Sequence, residues 1–160
     1  MEKENYLSKI YDEEKIKEFS KTIISNYDLQ SNLLAEVHFM ATLSNQISLD
    51  EIEEIKKYNI KNEKIKVFII LCDDQKSIDK WLEENDMPEN IILISDYNRD
   101  ISKSFSILNP ELDLPARLSC LLNPWNLKIY WTVMLSISEK RNMEEMSNFS
   151  LDLTNSLEYN

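Results

Sequence analysis

The chain reads as one α/β domain on a sheet that is parallel in its first half, and three observations predict this. Between residues 33 and 105, strand-like apolar runs and amphipathic segments alternate as strand, helix, strand, helix, strand. That order is expected of right-handed crossovers onto parallel strands. Residues 65–71 form an apolar run bounded by charge, as in a central strand buried on both faces. Two further strand-like runs, 117–122 and 127–135, flank Asn123-Pro124-Trp125-Asn126, a turn sequence that folds them into an antiparallel hairpin.

Each element has its own warrant. Residues 11–24 place Ile16, Phe19, Ile23 and Ile24 on one stripe with Glu, Lys and Asp elsewhere, predicting an amphipathic helix. Residues 33–40 read as the first core strand. Residues 47–58 carry Ile47, Leu49, Ile52 and Ile55 in a helical pattern, with Ser48 and Asp50 able to cap and acidic residues suited to the first turns. A helix over 73–84 carries Ile78, Trp81 and Leu82; 91–94 is a short strand and 99–105 a short helix. The last helix, 141–157, spaces Met146, Phe149, Leu153 and Leu157 on one face.

With 160 residues, a single domain over 1–160 is expected, burying roughly 70% of the surface its unfolded form exposes. A hydrophobic fraction of 42% marks a globular chain in spite of a net charge of −11. That charge disfavours phosphate backbones and anionic lipid, so neither nucleic acid nor a membrane surface is an expected partner. Met-Glu-Lys-Glu-Asn opens the chain without an apolar signal region, and no run suits a spanning helix; the expected compartment is the cytoplasm. The chain contains no glycine. Phosphate-binding glycine loops are therefore excluded, and turns must rely on asparagine, aspartate and proline. Cys72, Cys120 and the single histidine, His38, are too few and too scattered for a structural metal site. Both cysteines fall in apolar strands and read as small buried hydrophobes. His38 reads as a packing or surface residue of its strand.

Several segments carry a resemblance. Ile94-Ser95-Asp96, Asp100-Ile101-Ser102, Leu114-Pro115-Ala116-Arg117 and Arg141-Asn142-Met143-Glu144-Glu145 follow one another at spacings that resemble the second half of a typical two-cysteine peroxiredoxin of the alkyl hydroperoxide reductase type. Asp73-Asp74-Gln75 and Trp81 match as well. The resemblance covers about 33–157 and implies a thioredoxin-like fold with a mixed central sheet and helices on both faces. The helix expected at 11–24 departs from the family, whose members usually begin there with a glycine-containing hairpin.

The family motif F-Y-P-x-x-x-T-x-x-C-P-x-E falls without gaps on Phe39 to Glu51, which puts Ser48 where the resemblance implies the peroxide-attacking cysteine. Asn45 stands at the threonine position, Leu49 and Ala41 at the two prolines; Glu51 and the arginines Arg117 and Arg141 remain. A serine oxygen has no sulfenic acid state, so attack on an O–O bond by the family's route is not open to it. The chain ends at Asn160 without the family's cysteine-bearing C-terminal arm, so no resolving cysteine is expected. The expected function is that of a catalytically inactive relative, a pseudoenzyme acting as a binding or accessory protein, with no cofactor and no metal. The alternatives are an oxidoreductase that uses Cys72 or Cys120, an engineered Cys-to-Ser form, or binding of a small anion at the helix N-terminus beside Arg117. Against the last stands a plain pairing of Arg117 with Glu51. A hydrolytic serine is disfavoured, because no nucleophile elbow surrounds Ser48. Residues 127–135, apolar and at the expected sheet edge, predict a homodimer joined through that strand.

Overall fold

A computed structural model describes residues 13–31, 33–59, 63–136 and 139–158. Residues 11 and 12 of the expected first helix lie outside that set. In chain order the elements are α1 (Glu13–Asn26), β1 (Leu34–Phe39), α2 (Gln46–Asn59), β2 (Ile65–Leu71), α3 (Gln75–Glu84), β3 (Ile91–Ser95), α4 (Asp100–Ser104), β4 (Leu108–Asn109), β5 (Leu114–Pro115), β6 (Arg117–Leu122), β7 (Ile129–Leu135) and α5 (Met143–Glu158).

Five strands form the sheet in the order β3-β2-β1-β6-β7. β1, β2 and β3 are parallel, β6 runs antiparallel to β1, and β7 antiparallel to β6. β7 is thus an edge strand, as expected. β4 and β5 form a separate two-stranded ribbon that the sequence pattern does not announce.

The two-residue period of the strands sorts their side chains into two cores. Val67, Ile69 and Leu71 of β2 face Ile52 and Ile55 of α2, Ile78 of α3, and Met143 and Met146 of α5. Phe68 and Ile70 face the other way, with Ala35, Val37 and Phe39, toward Ile16, Phe19 and Ile23 of α1 and Phe105. Burying both faces is what a parallel sheet needs. At about 25 cal/mol per Å² of apolar surface, each fully covered Ile or Phe stabilises by roughly 1.5–3 kcal/mol before ordering entropy.

Turns manage without glycine: among the described residues, Asp28, Arg99, Ser106, Asp113 and Leu127 stand at positive φ. Only the two aspartates fit the expectation from turn chemistry. Arg99, at φ 64°, is held there by its own guanidinium, which donates to the carbonyls of Tyr97 (2.7 Å) and Asp113 (2.9 Å). Leu127 ends the hairpin turn, where Asn123 Oδ1 accepts from the backbone N–H of Trp125 at 2.8 Å.

Several residues that carry the family resemblance have structural duties. Asp96, buried, accepts from the backbone N–H groups of Ile101 and Ser102 and from Ser102 Oγ, closing the start of α4. Asp74 caps α3 through Ser77 N–H at 2.8 Å. Asp73 accepts from Leu43 N–H at 2.9 Å and ties the loop before α2 to the loop after β2.

Candidate functional site

The segment from Phe39 to Glu51 leaves the C-terminal end of β1 and enters α2. Ser48 is not the cap of this helix. Asn45 is: its Oδ1 accepts from Ser48 N–H at 3.1 Å, and its carbonyl accepts from Leu49 N–H. Asparagine is among the best capping residues, and with it the helix starts at Gln46, one residue earlier than the apolar pattern indicates. Ser48 becomes the third helical residue, 3% exposed, while Ile47 turns outward at 45%.

One turn after Ser48, Glu51 holds two arginines. Its Oε1 accepts from Arg117 Nη2 at 2.9 Å and its Oε2 from Arg141 Nη1 at 2.7 Å. Arg117 also donates to the carbonyls of Ser136 (2.7 Å) and Glu139. Arg141, its side chain fully buried, donates further to Ser119 Oγ at 2.7 Å and to the carbonyls of Phe39 and Leu118. Burial holds the Arg141 guanidinium below its usual pKa, and the Glu51 charge works against that shift. Glu51, one helical turn from Ser48, thus brings Arg117 and Arg141 together. Both guanidinium groups are engaged by this carboxylate and by backbone carbonyls, which leaves the pairing of Arg117 with Glu51 as the arrangement present.

A cleft of about 730 Å³ opens beside this cluster, between α2 and the segment entering α5. Asp50, Glu51, Glu53, Glu54, Glu139 and Glu144 line it against Lys140 and Arg141. Its charge is unfavourable to an anion.

The cysteines lie elsewhere. Cys120 sits within β6 as expected, whereas Cys72 lies just past β2, at the start of the loop to α3. Both are free and buried. Burial pushes the Cys72 thiol up to about 11, with Arg99 opposing, and the Cys120 thiol up to about 12, with Glu36 adding to the shift. A thiol so shifted is overwhelmingly protonated near neutral pH and a poor nucleophile. Among the described residues there is no group of three or more His, Cys, Asp or Glu able to hold a metal ion.

Sequence reasoning missed a buried polar network next to this cluster. His38, entirely buried, lies 2.6 Å through Nδ1 from Ser119 Oγ and 2.6 Å through Nε2 from Glu36 Oε1. Glu36 Oε2 accepts from Ser150 Oγ of α5 at 3.3 Å, and Ser150 Oγ accepts from Trp131 Nε1 at 3.1 Å. The available signal was β1 itself, Leu-Ala-Glu-Val-His-Phe, where two polar residues at i and i+2 share one face of a strand that is otherwise apolar.

No protein-family model matches the sequence, and no curated protein matches it. Solved structures do resemble the fold. AhpC of Mycobacterium bovis aligns at a TM-score of 0.63 with 18% identity over 79% of this chain and 75% of that one. The reduced 2-Cys peroxiredoxin of Plasmodium vivax aligns at 0.68 with 16% identity over 82% and 71%. A peroxiredoxin-like protein from Aquifex aeolicus aligns at 0.67 with 16% identity over 79% and 80%. The chain thus has the thioredoxin-like fold of peroxiredoxins, at identities that carry the fold alone.

Proposed function

We propose that this chain is a peroxiredoxin-like protein that does not reduce peroxides through a thiol and acts as a binding or accessory protein. The observation that carries the reading is the serine in the first turn of α2, one turn ahead of a Glu51 that holds Arg117 and Arg141. By the family alignment that serine stands where a nucleophilic cysteine belongs. The two thiols elsewhere in the chain are buried and pushed well above neutrality, which supports the reading, since neither has the electropositive, accessible setting of a reactive cysteine. The reading includes no cofactor and no metal.

The proposed partners are a second copy of the chain, a protein ligand, or both. β7 is an edge strand with the sequence Ile-Tyr-Trp-Thr-Val-Met-Leu, and an apolar edge is a liability unless it is paired. Pairing with its two-fold copy joins two sheets into one. No described helix is long and apolar enough to cross a membrane, and the proposed compartment is the cytoplasm.

Incubation with hydrogen peroxide and a dithiol reductant tests the chemistry. The expected rate equals that of the protein-free mixture; turnover that disappears in Cys72→Ser or Cys120→Ser overturns the proposal. Light scattering at micromolar concentration tests the dimer. A mass near twice 19.0 kDa, lost in Thr132→Pro, is expected, and a clean monomer mass sinks it.

A further inference from the structure

β7 is the last strand of the sheet, and a groove of about 360 Å³ lies between it and α5. Trp131, Val133 and Leu135, which alternate along β7 onto one face, line it from the strand; Met146 and Phe149 line it from the helix. Met146 is buried, whereas Phe149, one turn later, is 55% exposed. A large aromatic half in water beside an apolar groove at a sheet edge has the make-up of an interface anchor.

The groove has two unlike ends, because α5 runs back along β7. Trp131, near the start of the strand, donates through Nε1 to Ser150 Oγ, next to Phe149. Past the end of the strand, Ser136 N–H donates to Glu139 Oε1 as the chain turns toward α5. One end is therefore Trp131 with Phe149, and the other is Leu135 with Glu139 and Lys140. The flanking charges differ as well. Exposed Lys128 stands immediately before β7, its Nζ 4.9 Å from the centroid of the Tyr130 ring, and exposed Glu139 stands beyond Leu135.

A second copy matches this asymmetry in one orientation. An antiparallel strand related by a two-fold axis normal to the sheet keeps its own Trp131, Val133 and Leu135 on the same face, because directly opposed residues share a face. It also exchanges the ends. The Lys128 end of each copy meets the Glu139 end of the other, and each Phe149 is carried toward the partner's Leu135. A parallel strand would instead set Lys128 beside Lys128 and Glu139 beside Glu139, and like charges so placed oppose association. We propose that the occupant of this groove is a second copy of the chain, held by Phe149 closing on the partner's Leu135 end and by Lys128 facing the partner's Glu139. The inference rests on the reading of β7 as a dimer edge and adds the side chains that select the partner. Strand pairing alone accepts any extended peptide, whereas both anchors are met together in an isologous pair.

Sedimentation velocity over a micromolar dilution series separates the inference from the reading beneath it. The wild-type chain should be a dimer. Phe149→Asp should weaken association by at least about tenfold with an unchanged circular dichroism spectrum. Leu151→Asp, on the same helix at 43% exposure but outside the groove, should leave association as it is. Lys128→Glu should weaken association, and Lys128→Glu combined with Glu139→Lys should restore it. A dimer that Thr132→Pro abolishes but Phe149→Asp leaves intact overturns the inference and spares the strand reading. So does equal weakening by Leu151→Asp, or a Lys128→Glu variant that has no effect or that the charge swap fails to rescue. A wild-type chain that stays monomeric ends both.

Discussion

Replacing Glu51 with glutamine keeps the volume of the side chain and removes the charge that two arginines share. The Arg141 side chain is 0% exposed and the Arg117 side chain 18%, so the two pairs are not equivalent. Stripping the partner from a fully buried charge costs about 3–5 kcal/mol. The bonds of Arg141 to Ser119 and to two carbonyls survive and place the loss toward the lower end. The Arg117 pair has access to water and is worth about 1 kcal/mol or less. Glu51→Gln should therefore cost about 3–4 kcal/mol and Arg117→Gln about 1 kcal/mol. In urea, with a slope of about 2 kcal/mol per molar, the Glu51→Gln midpoint should fall by about 1.5–2 M. A loss below about 1 kcal/mol for Glu51→Gln, or a larger loss for Arg117→Gln, would show that water reaches Arg141 and would refute the account of the cluster as a closed ionic unit.

Other consequences follow from single contacts. Asn45→Ala should destabilise by about 1 kcal/mol through loss of the α2 cap, with Ser48→Ala costing less; the reverse order in thermal melts would return the capping role to Ser48. Both thiols have folded pKa values raised above the ordinary 9.0, to about 11 and about 12. A raised value stabilises the fold fully below the unfolded pKa and ceases to do so as pH rises through the folded one. Thermal stability should therefore fall between about pH 9 and pH 12, and the fall should be shallower in a Cys72→Ala/Cys120→Ala variant; equal slopes would mean that the thiols are hydrated in the fold.

The fold was legible wherever apolar periodicity and turn chemistry agreed. Residues 65–71 form β2 with the expected bounds, because a strand buried on both faces between charged ends offers no competing pattern. Ile16, Phe19 and Ile23 are buried on α1 as their spacing indicated. The start of α2 was less legible, since Ile47 fits the helical stripe yet faces solvent once Asn45 takes the cap. The β4–β5 ribbon has two residues per strand, too few to show a period. Arg99, Ser106 and Leu127 at positive φ could not be foreseen, because each is held by surrounding bonds and by chain closure and not by its own preference. In the site, the pairing of Arg117 with Glu51 stood as one of two readings, while the convergence of Arg141 on the same carboxylate and the His38 network were not legible. The network's members come from β1, β6, β7 and α5, and only sheet register brings Ser119 opposite His38.

The claim that no thiol in this protein is poised for peroxide is tested most directly by adding one equivalent of hydrogen peroxide to the folded wild-type chain with dimedone present, then reading the intact mass. Dimedone captures a sulfenic acid, the first state a thiolate reaches on reacting with peroxide. The expected mass is that of the unmodified chain, with both cysteines alkylated only after denaturation. A dimedone adduct formed within minutes on Cys72 or Cys120 would contradict the account and return the chain to the working peroxidases.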